Sequence, residues 1–388
     1  MPEPMPAREL LPEETQVYMD GLLRPHAVEA DRIEAMLPSP MVQNHAANLC
    51  FLPGGALACV WFGGTMEGMS DISVYISRLE PGADRWSAAE KLTDAVDRSE
   101  QNPVLFVAPD GLVWLIHTSQ PGGRQDLCEI RYRQSLDGGR SFGASQRLGD
   151  FTGVFVRQPV QIGPKGEWLL PGFRCVTPDA GKWTGGLDTA VMLVSRDAGG
   201  TWQAVEVPDS LGAVHMNPVP GQGGVMPAFY RHRFAEAVQR SLSRDGGLTW
   251  EAPEPTDQPN NNSSVQAVRL TDGRIAMVLN PVNASMSDQR RASLYDELEG
   301  EDEGGTGTAI WGVPRGPLSL VFSSDNGATF PERRELETGD GYCLTNNSKD
   351  GLNREYSYPS ILQGPDGRLH IAYTYHRRAI KYVCLSKS

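Results

Sequence analysis

The sequence predicts an all-β chain folded as a six-bladed β-propeller, each blade a four-stranded antiparallel sheet, and three observations carry that reading. A Ser/Asp/Gly turn motif recurs four times, an apolar hairpin unit recurs six times, and the composition is that of a structure made of turns. With 42 Gly and 29 Pro in 388 residues, 39% hydrophobic and 21% charged, a helix bundle is a poor match. Closed all-β architectures reach this size as single units, so the chain divides into an N-terminal tail, 1–13, and one propeller domain, 14–388.

The turn motif reads Ser-x-Asp-x-Gly-x-Thr/Ser-aromatic and occurs as SLDGGRSF (135–142), SRDAGGTW (195–202), SRDGGLTW (243–250) and SSDNGATF (323–330). A degenerate fifth, SRLEPGADRW (77–86), keeps the Ser and the terminal Trp. Asp bonds the backbone of a tight turn, Gly supplies the permissive φ, and the aromatic buries against its own sheet. Asp137, Asp197, Asp245 and Asp325 are therefore read as staples of hairpins rather than as chemical groups.

Upstream of these turns lies the second repeat, two apolar runs around a Gly-containing turn. Its copies are LCFLPGGALACVWF, PVLFVAPDGLVWLIH, PVQIGPKGEWLLPGF, VQAVRLTDGRIAMVL, PSILQGPDGRLHIAY and the weaker NPVPGQGGVMPAFY. A third strand follows, as in ISVYISR or AVMLVSR, then in most units the Asp turn and a last strand such as WEAPEP. Sheets of this kind repeated around an axis leave only short, protected edges. The last unit stops at AIKYVCLSK without a fourth strand; the N-terminal stretch ETQVYMDGLL is expected to supply it, beside residues 379–386. In the fifth unit 283–315 is a long insertion, of the kind expected to be a lid, a contact such as an oligomer interface, or a disordered segment. Within it 294–298 fits a short helical turn, 297–303 an acidic solvated face, and Trp311 and Arg315 are the members expected to reach a ligand.

A net charge of −13 argues against a nucleic-acid surface, which needs Lys and Arg to neutralise phosphates, but leaves room for a locally basic pocket. No run is long and apolar enough for a membrane span, and the Pro- and Glu-rich N-terminus lacks a secretory signal, so a cytoplasmic location is expected. Cys50, Cys59, Cys128, Cys175, Cys343 and Cys384 are scattered, with no CxxC pair and no His at zinc-ligand spacing. They read as small buried hydrophobes, and neither metal nor cofactor is expected.

Asp-containing turns in blades that repeat in this way resemble the Asp boxes of the sialidase superfamily, and more narrowly its BNR-repeat sialidase-like members. The likeness covers residues 38–388 and includes HAANLCFLPGGALACVWFGGTMEG and REYSYPSILQGPDGRLHIAYTYHRRAIKYV. It implies a carbohydrate site at the mouth of the ring opposite the Asp boxes, built from the starts of innermost strands and from loops between second and third strands. In that layout Tyr358, in YPSILQGPDG, takes the place of the nucleophile. Glu355 is the carboxylate nearest in sequence to accept its proton, and Glu67 or Asp71, in GGTMEGMSD, takes the place of the general acid. His45 stands where sialidases carry the first substrate-binding arginine. Arg157, Arg174, Arg231, Arg354 and Arg377, with His215, are the remaining candidates to hold an acidic sugar. Tyr358 and His45 are expected at equivalent places in the last and first blades, which closure makes neighbours.

Three function classes follow. An exo-glycoside hydrolase acting on a sialic acid-like or uronic mono- or oligosaccharide needs carboxylates around Tyr358. A polysaccharide or oligosaccharide lyase needs His45, Tyr358 and arginine converging on a uronate whose carboxylate is neutralised. A glycan-binding module needs aromatic stacking and no activated group.

Overall fold

The computed structural model describes residues 2–179, 181–295 and 308–386. It contains six antiparallel sheets in a ring, numbered here as blades 1 to 6 in chain order. Their innermost strands are Gln43–Phe51, Arg98–Val107, the interrupted pair Val154–Val156 and Gln161–Ile162, Ala213–Pro218, Gln266–Arg269 and Tyr356–Gln363. Apolar side chains from both faces of each sheet form six clusters, one at each junction between consecutive blades. At the junction of blades 2 and 3, for example, Trp114 meets the edge of Trp168. This two-sided burial is why the strands read as near-continuous apolar runs.

Blade 6 is completed by the N-terminal part of the chain, as expected, but by a different stretch. The fourth strand is Arg32–Met36, paired with Lys381 to Leu385, and Arg24–Pro25 adds a short fifth. ETQVYMDGLL begins instead inside a helix, Pro12–Tyr18. Pro12 at its first position, acidic Glu13 and Glu14 in its first turn, and the Glu14 carboxylate accepting from Leu11 N at 2.8 Å are the local reasons. Residues read as a tail lie against the ring: Met5 is fully buried and donates to Pro25 O, and Leu10 N donates to the Tyr375 hydroxyl. The closing strand carries charge inward. Buried Arg32 donates to Glu34 at 2.6 Å and to Leu336 O of blade 5, and Lys381 bridges Glu34 and Glu337.

The four Asp boxes have one geometry. In each, Asp accepts from the Ser hydroxyl two residues earlier and from the backbone N–H and hydroxyl of the Ser or Thr four residues later. A glycine at positive φ then lies against the preceding blade. A Cβ on Gly327 would fall 2.2 Å from the Phe229 ring, and one on Gly247 2.5 Å from Leu169. The boxes are thus spacers between blades as well as turns. The degenerate copy has no such Asp, and Ser77 instead donates to Ser87 O while Trp86 is buried.

These two devices predict different costs. Arg32→Ala leaves buried Glu34 with Lys381 alone and is expected to lower stability by about 3–5 kcal/mol. Asp245→Ala, which removes bonds from a largely exposed turn, is expected to cost about 1–3 kcal/mol. Urea unfolding of both variants checks this; an Arg32→Ala loss no larger than that of Asp245→Ala would show that closure does not depend on the buried charges.

Candidate active site

The mouth is organised by one irregularity repeated around the axis. Near the start of the inner strand the ladder skips between His45 and Asn48, Gln101 and Val104, Val214 and Asn217, and Ser357 and Ser360. The first residue of each bulge has positive φ: Ala46 62°, Asn102 49°, His215 56° and Tyr358 51°; Asn262, just before the inner strand of blade 5, has 57°. Such backbone is uncommon for His and Tyr, and strain of this kind gathers at functional sites. The blade 1 equivalent of Tyr358 is therefore Ala46. His45 stands one place earlier, equivalent to Ser357, and still reaches Tyr358, their ring centroids 4.2 Å apart.

Tyr358 lies among cations. Its hydroxyl accepts from Arg231 Nη1 at 2.5 Å, and the guanidiniums of Arg157, Arg231 and Arg315 lie 5.5, 5.6 and 5.6 Å from its ring centroid. Arg157 runs beneath the ring and spends Nη2 on the carbonyls of Ala47, Tyr358 and Pro359, tying blade 3 to blades 1 and 6. Burial pushes Arg157 down to about 10, and burial together with the charges of Arg233 and Arg315 pushes Arg231 down to about 9. No carboxylate among the described residues pairs with either. Arg157 Nε and Nη1 and Arg231 Nη2 are buried without a hydrogen-bond partner.

The other guanidiniums are paired. Arg377 bonds Glu67 at 2.5 Å and Glu355 at 3.0 Å, Arg315 bonds Glu355 at 3.2 Å, and Ser357 donates to Glu355 at 2.7 Å. Burial would raise the Glu355 carboxyl, but Arg377 and Arg315 outweigh it and hold the group below the usual carboxylate range. Arg233 donates through Nε and Nη2 to Asp188, which also accepts from Trp183 Nε1 and Val176 N. Glu67, His215, Arg231, Arg233 and Tyr358 line one narrow cavity, with Phe155 and Phe173 in its wall. His45 Nδ1 shares a hydrogen bond with Thr374, while His45 Nε2 and His215 Nδ1 have no partner.

A family model described as a BNR repeat-like domain matches residues 55–371. The chain belongs to the BNR repeat-like family. Among solved structures it is similar to a protein of unknown function from Dyadobacter fermentans, with 15% identity, 92% of this chain and 98% of that one covered, and a TM-score of 0.67. It is also similar to the intramolecular trans-sialidase of Ruminococcus gnavus in complex with oseltamivir carboxylate (12%, 88% and 94%, 0.65). A third match is a Hadza microbial sialidase (14%, 89% of this chain but 66% of that one, 0.64). These likenesses show the shared fold. No curated protein matches the sequence.

In this BNR-repeat chain Tyr358, His45, Glu67, Glu355, Arg157, His215, Arg231 and Arg377 come together at the axis. Three other expected members do not. Arg174 pairs with Glu206 at 2.6 Å on the exposed side, because its neighbour Phe173 takes the inward position and strand parity turns Arg174 away. Arg354 pairs with Asp340 at 2.7 Å, again outward, beside inward Glu355. Asp71 caps its own loop, accepting from Thr65 N and Oγ1. The sequence reading missed Arg233 and its partner Asp188; the signal was the alternation of Arg231 and Arg233 around His232. Of the insertion, 297–303 lies outside the described residues, while Leu294, Tyr295, Ala309 and Trp311 pack together with Trp183 at the mouth.

Burial, reinforced by surrounding guanidiniums, drives His45 and His215 well below an ordinary histidine. Both are expected to stay neutral at pH values where an exposed imidazole, with a pKa of about 6.5, becomes protonated. The unfolded chain then binds more protons than the folded one, so stability present above about pH 6.5 is lost as pH falls through that value and below it. Histidine NMR across pH 4–8 checks the titration; either imidazole protonating near about 6.5 would contradict it.

Proposed function

We propose that the protein is a sialidase-like glycoside hydrolase that acts on a terminal acidic sugar at this mouth. The observation that carries the reading is that Tyr358, Glu67, Arg231 and Arg233 line one cavity. Arg231 and Arg233 form the wall for the substrate carboxylate, and a buried carboxylate without such partners would cost several kcal/mol. The Tyr358 hydroxyl passes its proton to Glu355 as its oxygen attacks the anomeric carbon, and Arg231, already bonded to that oxygen, favours the phenolate that makes the attack. Glu67, from the upper loop of blade 1, protonates the leaving oxygen and later activates water. Glu355, bonded to Ser357, Arg315 and Arg377, positions those guanidiniums.

A lyase reading is favoured by a different observation. Glu67 and Glu355 are both engaged by guanidiniums, whereas His45 and His215 are neutral and each has an unpartnered ring nitrogen. A neutral imidazole can take the C5 proton of a uronate whose carboxylate is neutralised by arginine, with Tyr358 returning a proton to the leaving oxygen.

One assay separates the readings: acidic glycans are screened for reducing-sugar release together with the ultraviolet absorbance of an unsaturated uronate. Release without absorbance is expected. Tyr358→Phe should abolish turnover with little change in melting temperature, and His45→Ala should mainly raise KM. Wild-type turnover in Tyr358→Phe would remove both readings that place chemistry on Tyr358, and no turnover of any acidic glycan by the wild type would leave a binding module. Absorbance gain with a loss of orders of magnitude in His45→Ala would establish the lyase.

A further inference from the structure

On the side of the mouth away from the guanidiniums, blades 1 and 2 present side-chain amides instead of charges. Gln101, Gln120 and Gln125 are buried, and Gln120 and Gln125 meet at the hydroxyl of Tyr295, which belongs to the insertion of blade 5. That hydroxyl accepts from Gln125 Nε2 at 2.9 Å and from Gln120 Nε2 at 3.1 Å, while neighbouring Gln101 donates through Nε2 to Ser99 Oγ at 3.0 Å. Among the described residues Gln120 Oε1 is buried with no partner, as is Nε2 of Gln43, whose Oε1 accepts from Glu67 N. Gln101 and Gln125 line the cavity that holds Glu67 and Tyr358, so this cradle is continuous with the candidate active site.

A carboxamide offers a donor pair and an acceptor with no net charge, the set that matches a sugar hydroxyl or amide rather than a carboxylate. Leaving such groups buried and unmatched costs free energy, and among the described residues the cradle has one unmatched acceptor, Gln120 Oε1, even with Tyr295 in place, besides the unmatched donor of Gln43. A lone phenolic oxygen satisfies only part of what these amides offer; a ring bearing adjacent hydroxyls satisfies more.

We infer that Gln101, Gln120 and Gln125 form a subsite for the uncharged, hydroxyl-bearing part of the substrate sugar, and that Tyr295 occupies it in place of a substrate hydroxyl. The inference rests on the reading that the mouth takes an acidic sugar. It divides the site into an anion wall on blade 4 and a polyol wall on blade 2, both lining the cavity that holds Tyr358. It also makes the insertion a competitor of the substrate: binding requires Tyr295 to leave, and apparent affinity falls by the fraction of molecules in which it has left.

Free N-acetylneuraminic acid and, in parallel, glucuronic acid serve as probes, titrated by tryptophan fluorescence because Trp183 and Trp311 stand at the mouth. Tyr295→Phe, which keeps the packing, and Tyr295→Ala should each bind one of the probes about tenfold tighter than the wild type if the occupied form predominates by about ten to one. Adding Gln120→Ala and Gln125→Ala to Tyr295→Ala should remove that gain. Unchanged or weaker binding by both Tyr295 variants overturns the inference, as does binding of neither sugar by any of these proteins. The two readings fail separately: tighter binding without turnover keeps the subsite and removes the hydrolase, whereas turnover with unchanged affinity does the reverse.

Discussion

Ring closure is the constraint on which the rest of the structure depends. Every blade buries both faces against neighbours, so the junction of blades 6 and 1 must be as complete as the other five. Arg32–Met36 achieves this by pairing with the last strand while its charges engage Lys381 and blade 5. The contacts that define the mouth exist only because the junction closes. Arg377 of blade 6 bonds Glu67 of blade 1, Arg377 O accepts from Asn44 N, and Thr374 holds both Ala46 N and the His45 ring. The tilted ring contact of His45 with Tyr358 is thus a product of closure as much as of either strand.

Within the closed ring, electrostatics sets what the mouth can do. Arg377, Arg315 and Arg233 are balanced by Glu67, Glu355 and Asp188, and fixed charges held by good hydrogen bonds form a preorganised frame. Arg157 and Arg231 remain without a carboxylate, and the chain keeps them buried although desolvating a cation is costly. Arg157 has a structural return in the three carbonyls it joins across the axis. Arg231 has fewer bonds: among the described residues its hydrogen-bond partners are Tyr358 and Asn262, and its Nη2 has none. The imbalance therefore falls on the cavity side, where an anion would correct it, inside a chain whose net charge is −13.

The fold was legible because its repeats are local chemistry. An Asp box states its own turn within eight residues, and each hairpin has its Gly turn between two apolar runs. The closing strand was not legible: RIEAM alternates charge with apolar residues as an exposed strand would, and only Lys381 and Glu337, more than 300 residues away, make Arg32 and Glu34 internal. In the site, parity decided success. Arg231 and Arg233 share a face and both point inward, while Arg174 beside Phe173 and Arg354 beside Glu355 face the other way, a one-residue distinction that counting from a loop cannot resolve. Asp188 escaped notice because its partner lies 45 residues on, across a blade boundary.

The insertion of blade 5 links shielding to access. Trp311 lies 5.6 Å from the Arg231 guanidinium and 5.1 Å from that of Arg233, so one aromatic ring covers the two cations that line the cavity. Such contacts gain strength as water is excluded, and the same exclusion strengthens any carboxylate that replaces the ring. Tyr358, His45, Arg231 and Glu67 are all at most 6% exposed, so a ligand reaches them only when part of this cover moves. A ligand shifts such an equilibrium only by the difference in its affinity for the two forms. An anion meeting two desolvated guanidiniums has a large difference to offer, whereas a neutral sugar must displace the same ring with hydrogen bonds alone. Under the proposed reading, the cover would thereby raise discrimination in favour of acidic ligands beyond what the arginines would give at an open surface.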